Sequence, residues 1–351
     1  MINRPSADSL DQSMSLGINY LYEHQYPNGE FCTYYAPDIN MQEWCVPDST
    51  VFPTSIIAGT LLRLRTLPKV REMLSNTTRF LNYQIMRGSV WNHFTKWHPL
   101  FTYEPPDVDN SVCASYVLKT LQVDFPENRR LILSNRNKKG LFYTWFVLHG
   151  LKVSRTNLHI VAREFKRPFK SVAFWLKNSG KRDDIDAVVN ANALFYLGLS
   201  EETLPVVSYL ISVIHENREL SCDKWYHNIF IIYYFITRNY ATVPELQPIK
   251  EPIISRILAG SRADGSFGDS ILDTATALIS LLNLNYRDEK LHMAADYIIN
   301  AQHESGCWNR SIFFYSGANK DVGWGSEELT TGFCIEALAK YKEELIKMQH
   351  N

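Results

Sequence analysis

The strongest constraint on this chain is a short phrase that recurs along it. Gln302-His-Glu-Ser-Gly306-Cys-Trp308 spells Gln-x-x-x-Gly-x-Trp, and looser copies stand at Gln25-x-x-x-Gly29-Glu-Phe31 and Gln84-x-x-x-Gly88-Ser-Val-Trp91. Gly265-Ser-Phe267 and Gly140-Leu-Phe142 keep only the glycine and the aromatic. Recurrence of this kind marks a fold built from equivalent units. Physically, the glutamine ends one helix, the glycine permits a left-handed turn, and the aromatic packs back across the next unit. Each copy is a helix stop followed by a staple.

Between these stops the helical patterns alternate in two kinds. One set is amphipathic with charged faces, at about 9–25, 68–86, 126–136, 201–216, 249–260 and 287–302. The other is apolar nearly all round, at about 50–66, 109–122, 186–199, 226–239, 272–285 and 327–341. Amphipathic helices belong outside and uniformly apolar ones inside. Strict outer-then-inner order predicts an all-α fold, an (α/α)6 barrel spanning 1–351 as one domain. The stretch at about 137–182 is left over as an insertion before the inner helix at 186–199.

In such a barrel the inner helices run parallel, so their N-termini gather at one end. Their starts read Asp48-Ser-Thr, Asp107-Val-Asp109-Asn110, Asp183-Asp184-Ile-Asp186, Tyr226-His227-Asn228, Asp273-Thr274 and Ser326-Glu327-Glu328. Ser, Asp and Asn are ordinary N-caps, and Asp48, Asp273 and Glu327 read as caps. Asp107 and Asp109 together exceed what a cap requires. They set two carboxylates and an amide at the mouth of an apolar helix, where an aspartic acid can meet a greasy substrate and donate a proton to a carbon-carbon double bond. The aromatic content of 13% supplies ring faces for an apolar cavity and for cation stabilisation.

Composition excludes other classes. The 36 Lys and Arg nearly balance the 37 Asp and Glu, and no basic groove with stacking aromatics is evident, which argues against nucleic acid. No apolar stretch has the length of a signal peptide core or a bilayer span, so a cytoplasmic location is expected. The six cysteines form no Cys-x-x-Cys pair, which points to reduced thiols and no zinc cluster.

The repeats resemble the QW motifs of class II terpene cyclases, the squalene-hopene cyclase type included. Pro106-Asp107-Val-Asp109-Asn110-Ser111-Val112 resembles that family's Asp-x-Asp-Asp-Thr-Ala segment, with Asn110 in place of the last acid and Ser111 in place of the threonine. The resemblance covers essentially the whole chain. It implies that Asp109 is the Brønsted acid, with Asp107 and Asn110 holding its proton in place by hydrogen bonds. Gly265-Ser-Phe-Gly-Asp-Ser-Ile-Leu272-Asp273 is a second segment of similar form, but Leu272 stands where the donor would be, so it reads as structural. A helix N-terminus favours the carboxylate, whereas a reactive acid must be protonated; burial and the charge of Asp107 are expected to raise the Asp109 pKa.

Trp91, Phe101, Tyr103, Trp225, Tyr226, Phe267 and Trp324 are the rings expected near the mouth, each open to a packing role as well. Asn190 and Asn192 face either the cavity, bonding Asp109 or holding the water that removes the final proton, or a neighbouring helix as satisfied amides. The resemblance and the lack of a second helical domain point to a linear prenyl diphosphate of C15 or C20 length, or alternatively squalene or another polyprene. No cofactor is needed for protonation, and Mg²⁺ enters only with a diphosphate. Arg163, Lys166, Arg167, Lys170, Lys177, Lys181 and Arg182 crowd the insertion against Glu164. They form a diphosphate clamp, with Lys170 and Arg182 foremost, or a solvated or partner face. A homo-oligomer or partner protein is left open.

Three other classes compete. Protein prenyltransferase β subunits share this barrel, and Tyr226-His227 resembles their zinc-ligand segment, but Asp273-Thr-Ala275 lacks the thiol. A glycan-processing barrel would set Asp107 and Asp109 against Asp186 or Glu328 across a cleft. A non-catalytic binding module is the third. Asp183-Asp184-Ile-Asp186 lacks the spacing of a magnesium site for diphosphate ionisation.

Overall fold

The computed structural model describes residues 5–149, 158–166, 168–177 and 180–350. Its helices are α1 Ala7–His24, α2 Val51–Leu61, α3 Pro68–Gln84, α4 Val108–Thr120, α5 Arg129–Ser134, α6 Leu158–Lys166, α7 Pro168–Lys177, α8 Ala187–Leu197, α9 Leu204–His215, α10 Ile229–Thr237, α11 Lys250–Ala259, α12 Ile271–Asn283, α13 Glu289–Asn300 and α14 Glu327–His350. Contacts between α2, α4, α8, α10, α12 and α14 close a ring, each helix touching the next and α14 returning to α2. Helices α1, α3, α5, α9, α11 and α13 alternate with them along the chain. The outer-then-inner order is the one the sequence predicts.

Local chemistry explains the two kinds of helix. In α12 every residue from Ile271 to Leu281 is buried, because the ring encloses it on all sides. In α3 the buried set Val70, Met73, Leu74, Thr77, Phe80, Leu81 and Gln84 follows three- and four-residue steps, so a single stripe faces inward. Burying one such large apolar side chain contributes roughly 1.5–3 kcal/mol. The outer segment at 126–136 shrinks to α5, Arg129–Ser134, because Asn135 turns its amide onto the Tyr143 carbonyl, 2.9 Å away, and ends the helix.

The repeated phrase does what its residues dictate. Gln302 follows α13 and spans two units, donating to the Gly306 carbonyl at 2.7 Å and to the Ser13 carbonyl of α1 at 3.0 Å. Gly306 lies at φ +93°, and a Cβ there would meet the Leu16 carbonyl oxygen at 2.4 Å. Trp308 then reaches back, its Nε1 donating to the Ile298 carbonyl at 2.7 Å.

A small sheet departs from the all-α expectation. Strands β1 Tyr34–Ala36, β2 Val46–Pro47, β3 Phe314–Tyr315 and β4 Gly323–Gly325 pair antiparallel in the order β2-β1-β4-β3. The sheet ties the segment before α2 to the segment before α14, with Tyr35 opposite Trp324 and Phe314 opposite Trp324. Strands this short leave no period-2 signal in the sequence. The stretch 137–182 carries α6 and α7 outside the alternation. Among the described residues no helix is long and apolar enough to cross a membrane.

Candidate active site

A cavity of about 850 Å³ opens at the end of the barrel where the inner helices begin. Its floor is the start of α4. Asp107 caps that helix, accepting the Asn110 backbone N–H at 2.7 Å and the Asn110 side-chain N–H at 2.6 Å. Asp109, the second residue of that helix, is 8% exposed and accepts at both oxygens: Asn192 Nδ2 donates to Oδ1 at 2.5 Å and the Tyr226 hydroxyl donates to Oδ2 at 2.8 Å. Asn110 Oδ1 is buried without a partner.

Burial is the main force on both acids. It pushes the Asp109 carboxyl above the usual carboxylate range, against the Asn192 and Tyr226 donors and the positive charge of Arg238. Asp107 is pushed up to about 8 by burial, and the charge of Asp109 adds to that against the Asn110 backbone N–H. The expected direction of influence is therefore reversed: Asp109 acts on Asp107. Two close carboxyls in one dry site do not ionise together easily, and the better-solvated one ionises first. Asp109 has two donors from outside its own helix, Asn192 on α8 and Tyr226 in the segment before α10, plus a nearby guanidinium, which makes it the stronger acid of the pair.

The wall is aromatic. Phe52, Phe94, Tyr103, Trp145, Phe174, Trp225, Tyr226, Phe314 and Trp324 line it, with Asp48 and Glu104 among them. Phe314 and Trp324 stack at 5.3 Å, and His93 stands edge-on to both. Burial holds the His93 imidazole down to about 4, so it is neutral at physiological pH. Of the expected rings, Tyr103, Trp225, Tyr226 and Trp324 are in the wall.

Three expected cavity residues are elsewhere. Trp91 is fully buried behind α4, its Nε1 on the Leu81 carbonyl at 2.8 Å and its backbone N–H on Ser111 Oγ at 2.9 Å. Phe267 makes the same backbone contact with Thr274 Oγ1 at 3.0 Å. Asn190 accepts the Phe142 N–H at 2.9 Å and returns its own N–H to the Phe142 carbonyl at 3.0 Å. All three are parts of the staple between a repeat's aromatic and the next inner helix. Phe101 lines a smaller neighbouring pocket with Arg87, Arg163 and Lys166. Asn192 is the amide that reaches Asp109.

Asp48, expected as a cap, is instead in the cavity wall, since Thr50 is the cap of α2. It pairs with His98 Nε2 at 3.0 Å and accepts Trp324 Nε1 at 2.8 Å. Asp273 is not the cap itself but the third residue of α12, its carboxylate accepting the backbone N–H of the cap Ser270 in a reciprocal capping box. Asp186 caps α8 and is occupied by Thr144 Oγ1 at 2.6 Å, the Lys224 N–H at 3.1 Å and Trp225 Nε1 at 3.2 Å, so it does not face Asp109 across a cleft.

Lys170 stands at the rim, bonded to Thr102 Oγ1 at 2.7 Å and 4.6 Å from the Tyr103 ring centre. Arg182 lies over Trp175, donating to the Leu148 carbonyl at 3.2 Å, and is not part of the wall. Lys181 gives its backbone N–H to Asp184. Arg167 lies outside the described residues, as do the side chains of Glu164 and Lys177. No group of three or more His, Cys, Asp or Glu side chains is placed to hold a metal among the described residues.

No protein-family profile and no curated protein sequence matches the chain. Solved structures do. A protein from Actinoplanes superposes with a TM-score of 0.72 at 16% identity, over 95% of this chain and 99% of its own. The type II terpene cyclase MstE from Scytonema, in complex with its substrate geranylgeranyl dihydroxybenzoate, gives 0.70 at 15% identity over 96% and 98%. Its apo form gives 0.69 at 15% identity over 95% and 98%. The class these define for the chain is a fold: the helical barrel of the type II terpene cyclases.

Proposed function

We propose that this protein is a class II terpene cyclase in which Asp109 protonates a double bond of a linear isoprenoid. One observation carries the reading: a buried carboxyl, raised in pKa, forms the floor of a deep aromatic cavity and is oriented through both oxygens by Asn192 and Tyr226. A bystander carboxylate is not placed this way, because burial without an ion pair is expensive. Protonation leaves a carbocation that the next double bond attacks, closing rings in sequence. The ring faces of Phe52, Trp225, Phe314 and Trp324 stabilise the moving charge, each worth ~1–2 kcal/mol when desolvated.

A cavity of about 850 Å³ is in the upper part of the ~300–1,000 Å³ range of small-molecule sites. That suits a C15 or C20 chain with a head group. The chemistry never breaks a carbon-oxygen bond of a diphosphate, so such a group is retained, with Lys170 at the rim to meet it and Mg²⁺ as its counter-ion. A second reading, a polyprene without a diphosphate, is favoured by the wall itself: Asp48, Glu104, Asp107 and Asp109 line it, and no Lys or Arg does among the described residues. The substrate of the Scytonema cyclase, a prenylated dihydroxybenzoate, is an instance of that class.

Incubation with farnesyl diphosphate, geranylgeranyl diphosphate, geranylgeranyl dihydroxybenzoate and squalene, with products analysed before and after dephosphorylation, separates these. A cyclised product is expected, and Asp109→Asn lowers its formation by at least ~10³-fold with unchanged circular dichroism. Full activity in that variant sinks the proton-donor assignment.

A further inference from the structure

Behind Asp109 a polar chain runs into the barrel with a fixed sense. Arg238 stands at the C-terminal end of α10, with its guanidinium 4.4 Å from the Phe195 ring centre, 5.1 Å from that of Tyr234 and 4.8 Å from that of Phe235. It donates to Asn192 Oδ1, while its Nε has no partner. Its charge acts on Glu336 and on Asp109, and the Tyr234 hydroxyl, whose ring it faces, donates to Glu336 at 3.1 Å. A buried arginine is usually met by a carboxylate. Here it is spent on an amide.

A guanidinium can only donate, so Asn192 must turn its carbonyl oxygen to Arg238 and its NH₂ to Asp109. An Asp109 oxygen that receives this N–H is the less favourable place for the acid hydrogen, because a carboxylic acid accepts better at its carbonyl oxygen than at its hydroxyl oxygen. We propose that Arg238 is a positioning residue for proton transfer: by taking the Asn192 carbonyl it commits the Asn192 N–H to Asp109 Oδ1, and leaves Oδ2, beside the Tyr226 hydroxyl, as the oxygen that bears the acid proton. This rests on the cyclase reading of the site. Without substrate the Oδ2–H rests on the Tyr226 hydroxyl oxygen, and with an alkene in the cavity it turns from that oxygen to the alkene carbon. On transfer the Oδ2–H bond breaks and a C–H bond forms at the alkene. The O–H electron pair stays on Asp109 as a carboxylate, now accepting from Asn192 and Tyr226, and the substrate carries the positive charge.

The groups around Asp109 are Asp107 at the cap of α4, Cys113 on α4, Asn192 on α8, Tyr226 in the segment before α10 and Arg238 at the C-terminal cap of α10, with Asp48 and Glu104 also in the cavity wall. Among the described residues Arg238 supplies the cationic charge that acts on Asp109. The test is infrared spectroscopy of the substrate-free protein. The carbonyl stretch of protonated Asp109 is assigned by its loss in Asp109→Asn and titrated with pH. In Arg238→Met the midpoint is expected to rise by about one pH unit, because a charge that favours the carboxylate is gone. The stretch is expected to move to higher frequency as the Asn192 N–H loses its fixed direction.

Arg238→Lys, which keeps the charge, restores the midpoint and keeps the protein testable if the methionine variant does not fold. With substrate, Arg238→Met lowers kcat roughly tenfold and leaves KM within about twofold, and the alkaline limb of its rate profile moves to higher pH. An unmoved stretch and midpoint in a folded Arg238→Met, or in Arg238→Lys a midpoint displaced as far as the methionine variant's, overturns the proposal. The spectroscopic readout needs no turnover. A wild-type protein that cyclises nothing therefore refutes the cyclase reading and leaves the role of Arg238 separately decided.

Discussion

The starts of α4 and α12 are built to the same plan and only one of them is a candidate for chemistry. Asp107 and Ser270 are the caps, each accepting the backbone N–H three residues on, from Asn110 and Asp273. Ser111 and Thr274, one residue later, each take the backbone N–H of a repeat aromatic, Trp91 at 2.9 Å and Phe267 at 3.0 Å. Between them the second helical position holds Asp109 in α4 and Leu272 in α12. The corresponding position of α2 is Phe52, of α8 Val188 and of α10 Phe230, while in α14 it is Glu328, a buried acid outside the cavity wall. A scaffold position that takes apolar side chains in α2, α8, α10 and α12 carries in α4 an acid that lines the cavity, and its neighbours supply the donors that make a buried carboxyl tolerable.

Asymmetry of support, more than position, is what the comparison predicts, and moving the acid should show it. Leu272 is fully buried, and Leu272→Asp places a carboxyl there without the amide and hydroxyl that serve Asp109. It should destabilise the fold by ~4 kcal/mol or more, read by urea unfolding at neutral pH. The double variant with Asp109→Asn should show no recovered cyclisation. Recovery would mean that any acid at this helical position is enough and that Asn192 and Tyr226 are incidental.

The caps differ in the next respect, since Asp107 titrates and Ser270 does not. The Asp107 carboxyl is pushed up to about 8 in the folded chain, well above the ~3.9 of an unfolded aspartate. A folded-state pKa raised in this way contributes stability that is complete below the unfolded value and is lost as pH rises through the folded one. The thermal midpoint should therefore fall as the pH is raised from about 5 to about 9, and Asp107→Asn, which can still cap, should remove most of that fall. Ser270→Asn should leave the slope unchanged. Equal slopes in wild type and Asp107→Asn would show that Asp107 is not the titrating cap.

Much of this was readable in the sequence. The repeat phrase located the stops, and the two kinds of helical pattern gave the order of the ring, because burial on one side or on all sides leaves different periodicities. Asp107, Asp109 and Asn192 were legible because polar groups on an all-apolar helix need a reason. What stayed hidden was long-range. Asp48 reads as a cap until β4 brings Trp324 to it, and Arg238, within the 226–239 pattern, drew no reading because only the fold places Asn192 of α8 against it. For Trp91, Phe267 and Asn190 the sequence left cavity and packing roles open, because rings and amides near the mouth suit both, and the backbone contacts show that they join one repeat to the next.

Those joints provide the finest test. Ser111→Ala and Thr274→Val each leave one buried backbone N–H, of Trp91 or Phe267, without its acceptor, at about 1–3 kcal/mol. Both should lower stability by a similar amount in urea unfolding. Turnover should separate them. The Trp91 carbonyl accepts the Asp107 N–H at 3.3 Å, so loosening that joint shifts the cap that holds Asn110 and the turn carrying Asp109. The Phe267 joint is coupled to a helix start with no acid at its second position. Ser111→Ala is thus expected to lower kcat severalfold while Thr274→Val leaves it at the wild-type value, and equal kcat in the two variants would mean that the placement of Asp109 does not depend on the joint beneath it.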